Sequence, residues 1–290
     1  MRVPDLIFYL FFQKENEKVR NNIEKKYMEI VTGKRVGKPS DDPVSFEKIQ
    51  ELKKEISSLS QFGRNRLFAD TVLTYADTLL SGIEDRLKAL YSSLIRASNG
   101  TLNEGELKAI GREFEEALKV LVKVANEKVG KNYIFSGTSL NTKPFDENTF
   151  DYLGSNKDFE VLVDEGYRVK AFLRGDYVFG VNTTNIFKVI KSIADKLSGG
   201  TAPDQTDIDN LKQAYDQIVK IRSEIGSVLK ELRNIQTTQE DKMDTLNKIK
   251  SDNEDADLAK SISDYRRYEL TYEAIMKLFA NRRLTILEYI

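Results

Sequence analysis

With no histidine and no cysteine in the chain, any chemistry would fall to carboxylates, lysines and tyrosines. The commonest general base, the commonest metal ligand and the thiolate nucleophile are all missing. Two acidic clusters come into question as cation or proton sites: Asp41-Asp42, and Asp252-Asn253-Glu254-Asp255 with Asp257. Neither has the central Gly and closing Glu of an EF-hand loop. Helix capping and solvation account for both. Val129-Gly130-Lys131 lacks the second Gly and the Ser/Thr of a phosphate-binding loop. No carboxylate pair stands out for acid–base work. Arg266-Arg267 and Arg282-Arg283 could touch nucleic acid, and Tyr265, Tyr268 and Tyr272 could stack on bases. On an amphipathic helix these residues fit a polar face, a core or a subunit contact better. Asn99-Gly100-Thr101 and Asn182-Thr183-Thr184 match the N-glycosylation triplet, a pattern common by chance. The residues assign no catalytic, cofactor or metal site.

What the spacing does specify is helices. Val19, Ile23, Tyr27 and Ile30 line one face of a first helix over residues 1–31. Gly33, Gly37 and Pro39 end it. Ser40, Asp41 and Asp42 are N-cap residues for the next helix, and Pro43 suits its first turn. From there Ala76, Leu80, Ile83, Leu87, Leu90, Leu94 and Ala97 alternate steps of four and three, a heptad seam. A helix of roughly 55 residues would be about 80 Å long. Asn99–Asn103 is a turn, with Asn103 and Glu106 placed as a capping box. Leu107, Ile110, Phe114, Ala117, Leu121 and Val124 then repeat the seam, which predicts an antiparallel helical hairpin.

At Gly130 the period changes. Phe159–Val163 and Arg168–Leu173 read as strands joined by Asp164-Glu165-Gly166-Tyr167, so 133–182 reads as a small β-rich module. Asn185–Leu197 is a short amphipathic helix with Phe187, Ile190, Ala194 and Leu197 inward. A third seam runs through Ile208, Leu211, Tyr215, Ile218, Arg222, Ile225, Leu229, Leu232 and Gln236, with Gly226 marking a close helix approach. Asp252–Asp255 breaks it. A last helix runs from Ala256 to an apolar end at Leu287, Tyr289 and Ile290. The fold class is mainly α with a β-rich insertion: a long antiparallel coiled-coil or helical-bundle rod with its N- and C-terminal helices paired.

The 290 residues carry a formal net charge of -1, with charged residues at 31% and both signs mixed. That balance offers no basic surplus for nucleic acid and suits solvated helix faces. No apolar run is long enough for membrane insertion. Leu6–Phe12 is the one intense apolar stretch. Asp5 precedes it and no small-residue cleavage site follows, so a cleaved signal peptide is not expected. A patch so apolar all round usually marks an interaction surface. The expected assembly interface is Leu6, Ile7, Leu10, Phe11, Val19, Ile23, Tyr27 and Ile30, with Leu258, Ile262, Tyr265, Tyr272, Ile275, Phe279 and Ile286.

Thr32-Gly33-Lys34-Arg35-Val36 followed by Pro39-Ser40-Asp41-Asp42-Pro43 resembles the signature loop of the bacterial flagellin superfamily. The Pro after the two Asp resembles the type 3 hook-associated branch, where flagellins usually carry Ala. Asn99-Gly100-Thr101-Leu102 resembles the family's first interhelix turn. Tyr133-Ile134-Phe135-Ser136-Gly137-Thr138 with Pro144-Phe145 resembles the entry to its β domain. Asp257-Leu258-Ala259 with Ser261-Ile262-Ser263-Asp264 resembles the start of its C-terminal helix.

The resemblance implies a structural subunit, not an enzyme, without cofactors, exported through the flagellar type III channel and found outside the cell between hook and filament. Its implied partners are the first hook-associated protein, flagellin, an export chaperone and copies of itself in a ring or helical layer. The expected domains are 1–36, an N-terminal assembly helix; 37–132, the first part of the rod; 133–203, the insertion; 204–250, the second part of the rod; and 251–290, a C-terminal assembly helix. Rival readings are flagellin itself, a cytoplasmic coiled-coil scaffold, which would leave the insertion and apolar ends unexplained, and an enzyme built on a carboxylate or lysine.

Overall fold

The computed structural model describes the backbone of residues 3–100 and 102–287, and the side chains of 7–100, 102–182 and 184–281. The helices are α1 (Val3–Thr32), α2 (Pro43–Ser98), α3 (Glu104–Ala125), α4 (Gly175–Phe179), α5 (Ile186–Ser198), α6 (Gln205–Glu254) and α7 (Leu258–Leu287). The strands are β1 (Lys128–Val129), β2 (Asn132–Tyr133), β3 (Phe159–Asp164) and β4 (Tyr167–Phe172), paired antiparallel as β1-β2 and β3-β4. The fold is thus mainly α with a small β region. The chain divides into two units: Met1–Ser58 with Asp241–Ile290, here the terminal unit, and Leu59–Glu240, the central unit.

The central unit is built on the heptad seams. Every member of the α2 seam from Ala76 to Ala97 is buried. On α3, Leu107, Ile110, Phe114 and Leu121 are buried as the seam predicts, while Leu118 and Val122 are buried beside them and Ala117 and Val124 only partly. The buried face is wider than one heptad line because α3 packs on α5 as well. Gly111 is the close approach there: a Cβ would meet Ser198 Oγ at 2.6 Å and Ser198 N at 2.8 Å. Gly226, read from the sequence as such a point, has nothing within 4 Å of a built Cβ and is exposed. The capping box of Asn103 and Glu106 is present, with Asn103 N–H donating to Glu106 Oε2 at 2.8 Å and Glu106 N–H to Asn103 Oδ1 at 2.9 Å.

Arg222 on α6 is a charged member of its seam, and it is satisfied across the bundle. It donates to Asp77 Oδ1 at 3.0 Å and Glu84 Oε2 at 2.6 Å on α2. Arg66 likewise reaches Gln236 at 2.8 Å. As positions rise along α2 they fall along α6, so the two helices run antiparallel here.

Between α3 and α5 the chain is mostly irregular, and aromatic packing holds it. Phe145 stands edge-on to Phe179 and Phe187 with centroids 5.4 and 5.0 Å apart, and Phe135 to Phe179 at 5.1 Å. All four rings are fully buried, each contributing about 1.5–3 kcal/mol by apolar burial. Asn126 supplies a side-chain partner for the Phe145 backbone, accepting from its N–H at 2.9 Å and donating to its carbonyl at 3.0 Å. Gly137 must be glycine: φ is +62°, and a Cβ would lie 2.6 Å from the Ser155 carbonyl oxygen. The β3-β4 hairpin turns at Glu165-Gly166, as its strand and turn residues predict. Asn65 and Gln239 donate to the β3 carbonyls of Leu162 and Val163 at 2.8 and 2.7 Å, which covers that sheet edge.

Candidate assembly interface

In the terminal unit α1 and α7 lie antiparallel. The pairs Phe12 with Phe279, Asn16 with Met276, Lys26 with Asp264 and Glu29 with Ser261 fix the register. Their numbers sum to nearly the same value, as antiparallel pairing requires. The Phe12 and Phe279 rings stack at 4.1 Å and Tyr9 adds a tilted contact.

The seam between these helices mixes apolar and polar contacts. Glu29 is buried, accepting from Lys26 Nζ at 2.6 Å and from Ser261 Oγ at 2.8 Å. Lys26 also reaches Asp264 at 3.8 Å. Tyr265, Tyr268 and Tyr272 are half-buried, as are Ile23, Ile30, Ile275 and Phe279. Among the described side chains of α1, Val19 is the buried apolar one. The amide oxygen of Asn16 is enclosed without a hydrogen-bond partner.

Other large apolar side chains point outward. Ile7, Leu10 and Phe11 are 62%, 56% and 63% exposed, and Leu270 and Leu278 on α7 are 67% and 69% exposed. Tyr27, Leu258 and Ile262 are exposed too, so the apolar residues singled out from the sequence fall on both sides of the pair. Leu6 and Ile286 lie outside the described side chains, as do Arg282 and Arg283; Thr101, Tyr289 and Ile290 lie outside the described residues altogether.

The signature loop joins α1 to α2 and folds onto the α6–α7 turn. Gly33, at φ +68°, ends α1 and its carbonyl accepts from Ala256 N–H at 2.8 Å. Thr32 Oγ1 donates back to the Met28 carbonyl at 2.6 Å. Arg35 N–H donates to the Glu254 carbonyl at 2.8 Å, and its guanidinium reaches the Asn253 carbonyl at 2.9 Å and Asp42 at 3.3 Å. Of the three N-cap candidates Asp42 caps α2, accepting from Ser45 N–H at 3.1 Å. Its carboxyl is held below the usual range, first by the Ser45 hydroxyl. Asp41 instead ties the loop, accepting from the N–H groups of Gly37 and Lys38. Pro39 and Ser40 are exposed at the loop's tip, and Pro43 opens α2.

One acidic residue does not do what the sequence reading assigned to it. Helix α6 does not break at Asp252; it runs through Glu254, and Asp257 caps α7 by accepting from Lys260 N–H at 3.0 Å. Glu254 is 3% exposed rather than solvated. Its Oε1 accepts from Lys34 Nζ at 2.7 Å and Lys53 Nζ at 3.0 Å. Burial pushes this carboxyl up, but the two ammonium groups outweigh it and hold the group below the usual carboxylate range. Lys34 is raised in turn, chiefly by its bond to Glu254. Lys53 and Glu29 were not singled out by sequence, and Glu254 only as part of an acidic cluster read as capping or solvated. The available signal was one Glu at the end of a long helix with a lysine in the signature loop, and helix spacing does not encode that meeting.

A model of the bacterial flagellin N-terminal helical region matches residues 5–139. Flagellar hook-associated protein 3 of Escherichia coli (strain K12) is 26% identical over 276 residues, covering 86% of this chain and 87% of that protein. Flagellin of Halalkalibacterium halodurans is 18% identical over 90% of this chain and 88% of its own length. The crystal structure of Bacillus cereus FlgL is 26% identical with a TM-score of 0.59, covering 69% of this chain and 98% of that one. Fold, signature loop and relatives agree on one resemblance: the N-terminal part of the chain matches the flagellin N-terminal helical region, and the chain is similar over 86% of its length to flagellar hook-associated protein 3.

Proposed function

We propose that this chain is the structural junction subunit between flagellar hook and flagellin filament, and that it assembles through its terminal helices. The observation that carries the mechanism is the row of large apolar side chains that the α1–α7 pair leaves in solvent, Ile7, Leu10, Phe11, Leu270 and Leu278. Each outward Ile, Leu or Phe covered by a neighbouring subunit would contribute about 1.5–3 kcal/mol, offset by the cost of ordering. A handful of such residues is sufficient to drive association. The partners on this reading are the first hook-associated protein on the hook side, flagellin on the filament side, and further copies in a ring or helical layer. Before assembly the same apolar faces suit an export chaperone. On this reading the subunit acts outside the cell after type III export and performs no catalysis.

Electron microscopy of full-length protein added to short hook fragments tests this. A limited layer from which added flagellin then extends is the expected result. Long filaments of the protein alone would make it a filament subunit instead. Versions lacking 1–30 or 258–290 should stay soluble and helical yet add no layer; a layer from either truncation would sink the terminal-helix mechanism.

A further inference from the structure

The loop after α1 and the α6–α7 turn meet through backbone and side chain at one residue. Both Arg35 and Val36 N–H groups donate to the Glu254 carbonyl, at 2.8 and 3.3 Å, and Ala256 N–H donates back to Gly33. The Glu254 carboxylate lies on the same spot, almost wholly buried, with Lys34 from the loop and Lys53 from α2 on a single oxygen. A buried charge is tolerated only while its partners stay in place, and removing one side leaves the other uncompensated. The arrangement therefore requires an ionised Glu254. The other charged groups facing this junction are Asp255, which acts on Lys34, and Arg35, which is turned to the Asn253 carbonyl and Asp42.

We propose that Glu254 is a charge lock for the terminal unit. Ionised, it pins the signature loop and the start of α2 to the α6–α7 turn, from which both terminal helices depart. Protonated, it releases that junction, so acid opens the base of the α1–α7 pair before it reaches the apolar core of the central unit. The direction follows from the chemistry. The folded-state carboxyl sits below its ordinary value, so its stabilisation is present above the unfolded value and lost as pH falls through the folded one. Lys34 works the other way and loses its share only above the ordinary lysine range. Glu29, the second buried carboxylate of this unit, faces Lys26 and Ser261 and serves as the internal control.

Hydrogen exchange on the full-length monomer reads the lock at the amides of Arg35, Val36 and Ala256. At neutral pH, Glu254→Gln should lower their protection about tenfold or more, since the ammonium groups lose a charged partner. Acidification of the wild type toward about pH 3 should bring its protection down to the variant's level, while the variant stays flat. Central-unit amides such as those of Leu80 and Phe114 should be unchanged in both. Glu29→Gln should keep the wild-type acid response at the three amides. Wild-type protection in Glu254→Gln, or a variant that still shows the full acid drop, overturns the proposal. If Glu254→Gln fails to fold, the Lys34→Met and Lys53→Met double variant interrogates the lock from the cation side. There a tenfold loss supports the lock and wild-type protection overturns it. Because the readout is on the monomer, the lock stands or falls separately from the hook–filament assignment.

Discussion

The two units of this chain use helices of similar length and composition in opposite ways. The central unit closes over an apolar interior, where Phe114, Phe135, Phe145, Phe179 and Phe187 are fully buried and the seams of α2, α3 and α6 supply Leu and Ile. The terminal unit keeps a buried carboxylate at Glu29 and another at Glu254, and leaves Ile7, Leu10, Phe11, Leu270 and Leu278 in solvent. On the assembly proposed above, the difference separates what is finished in one chain from what other chains would finish. Apolar surface on that scale in a monomer marks a contact still to be made.

The largest effect on monomer stability should come from the finished side. Phe114 is fully buried at the centre of α3. Phe114→Ala should cost about 3–5 kcal/mol, from lost burial and the cavity left behind. Urea unfolding should show a lower midpoint with an unchanged slope, confined to the central-unit transition. A loss under about 1 kcal/mol would mean this core collapses around the gap, and the contrast between units would weaken.

That contrast was partly legible in the sequence. Seams of Ala, Leu and Ile at heptad spacing announce a buried face, and Ala76, Leu80, Ile83, Leu87, Leu90, Leu94 and Ala97 are all buried as read. Capping is local, so Asn103 with Glu106, and Asp42 ahead of Pro43, could also be read. The hairpin was legible for the same reason, since β-branched runs flank Glu165-Gly166. What depends on distant partners was not. Gly226 and Gly111 both sit inside helices, and only the path of α5 makes Gly111 the close approach. Arg222 occupies an apolar slot because Asp77 and Glu84 lie opposite it on α2. Glu254 belongs to an acidic cluster that looks solvated until Lys34 and Lys53 arrive from well over a hundred residues away. The apolar character of α1 was plain, but which of its residues face α7 was not, because polar Lys26 and Glu29 take seam positions.

A smaller effect tests whether local signals or tertiary packing hold the central unit's edge. Asn103→Ala removes the side-chain half of the capping box at the start of α3, the Oδ1 that accepts from Glu106 N–H, and leaves the backbone N–H that donates to Glu106. It should cost about 0.5–2 kcal/mol, and Asn103→Ser should recover most of it. Thermal unfolding of the two variants side by side gives the comparison. If the Ala and Ser variants melt alike, packing of α3 on α5 fixes that terminus and the cap is incidental.

The smallest effect on the monomer, and the sharpest test of the contrast, belongs to the outward face of the terminal pair. Leu10, Phe11 and Leu278 touch solvent over more than half their surface, so little apolar burial is at stake when they are made polar. Leu10→Gln, Phe11→Gln and Leu278→Gln together should shift monomer stability by about 0.5 kcal/mol or less, the usual size of a surface change. The same triple variant should lose the layer on hook fragments, because the burial it forfeits exists only between subunits. An inward control, Phe12→Gln, attacks the stacked contact with Phe279 and should loosen the pair within the monomer itself. The two variants are therefore predicted to separate, one in assembly and the other in hydrogen exchange along α1 and α7. If instead the triple variant assembles normally, the exposed residues are not the contact, and the α1–α7 seam with its unpartnered Asn16 oxygen becomes the surface that opens to receive a neighbour.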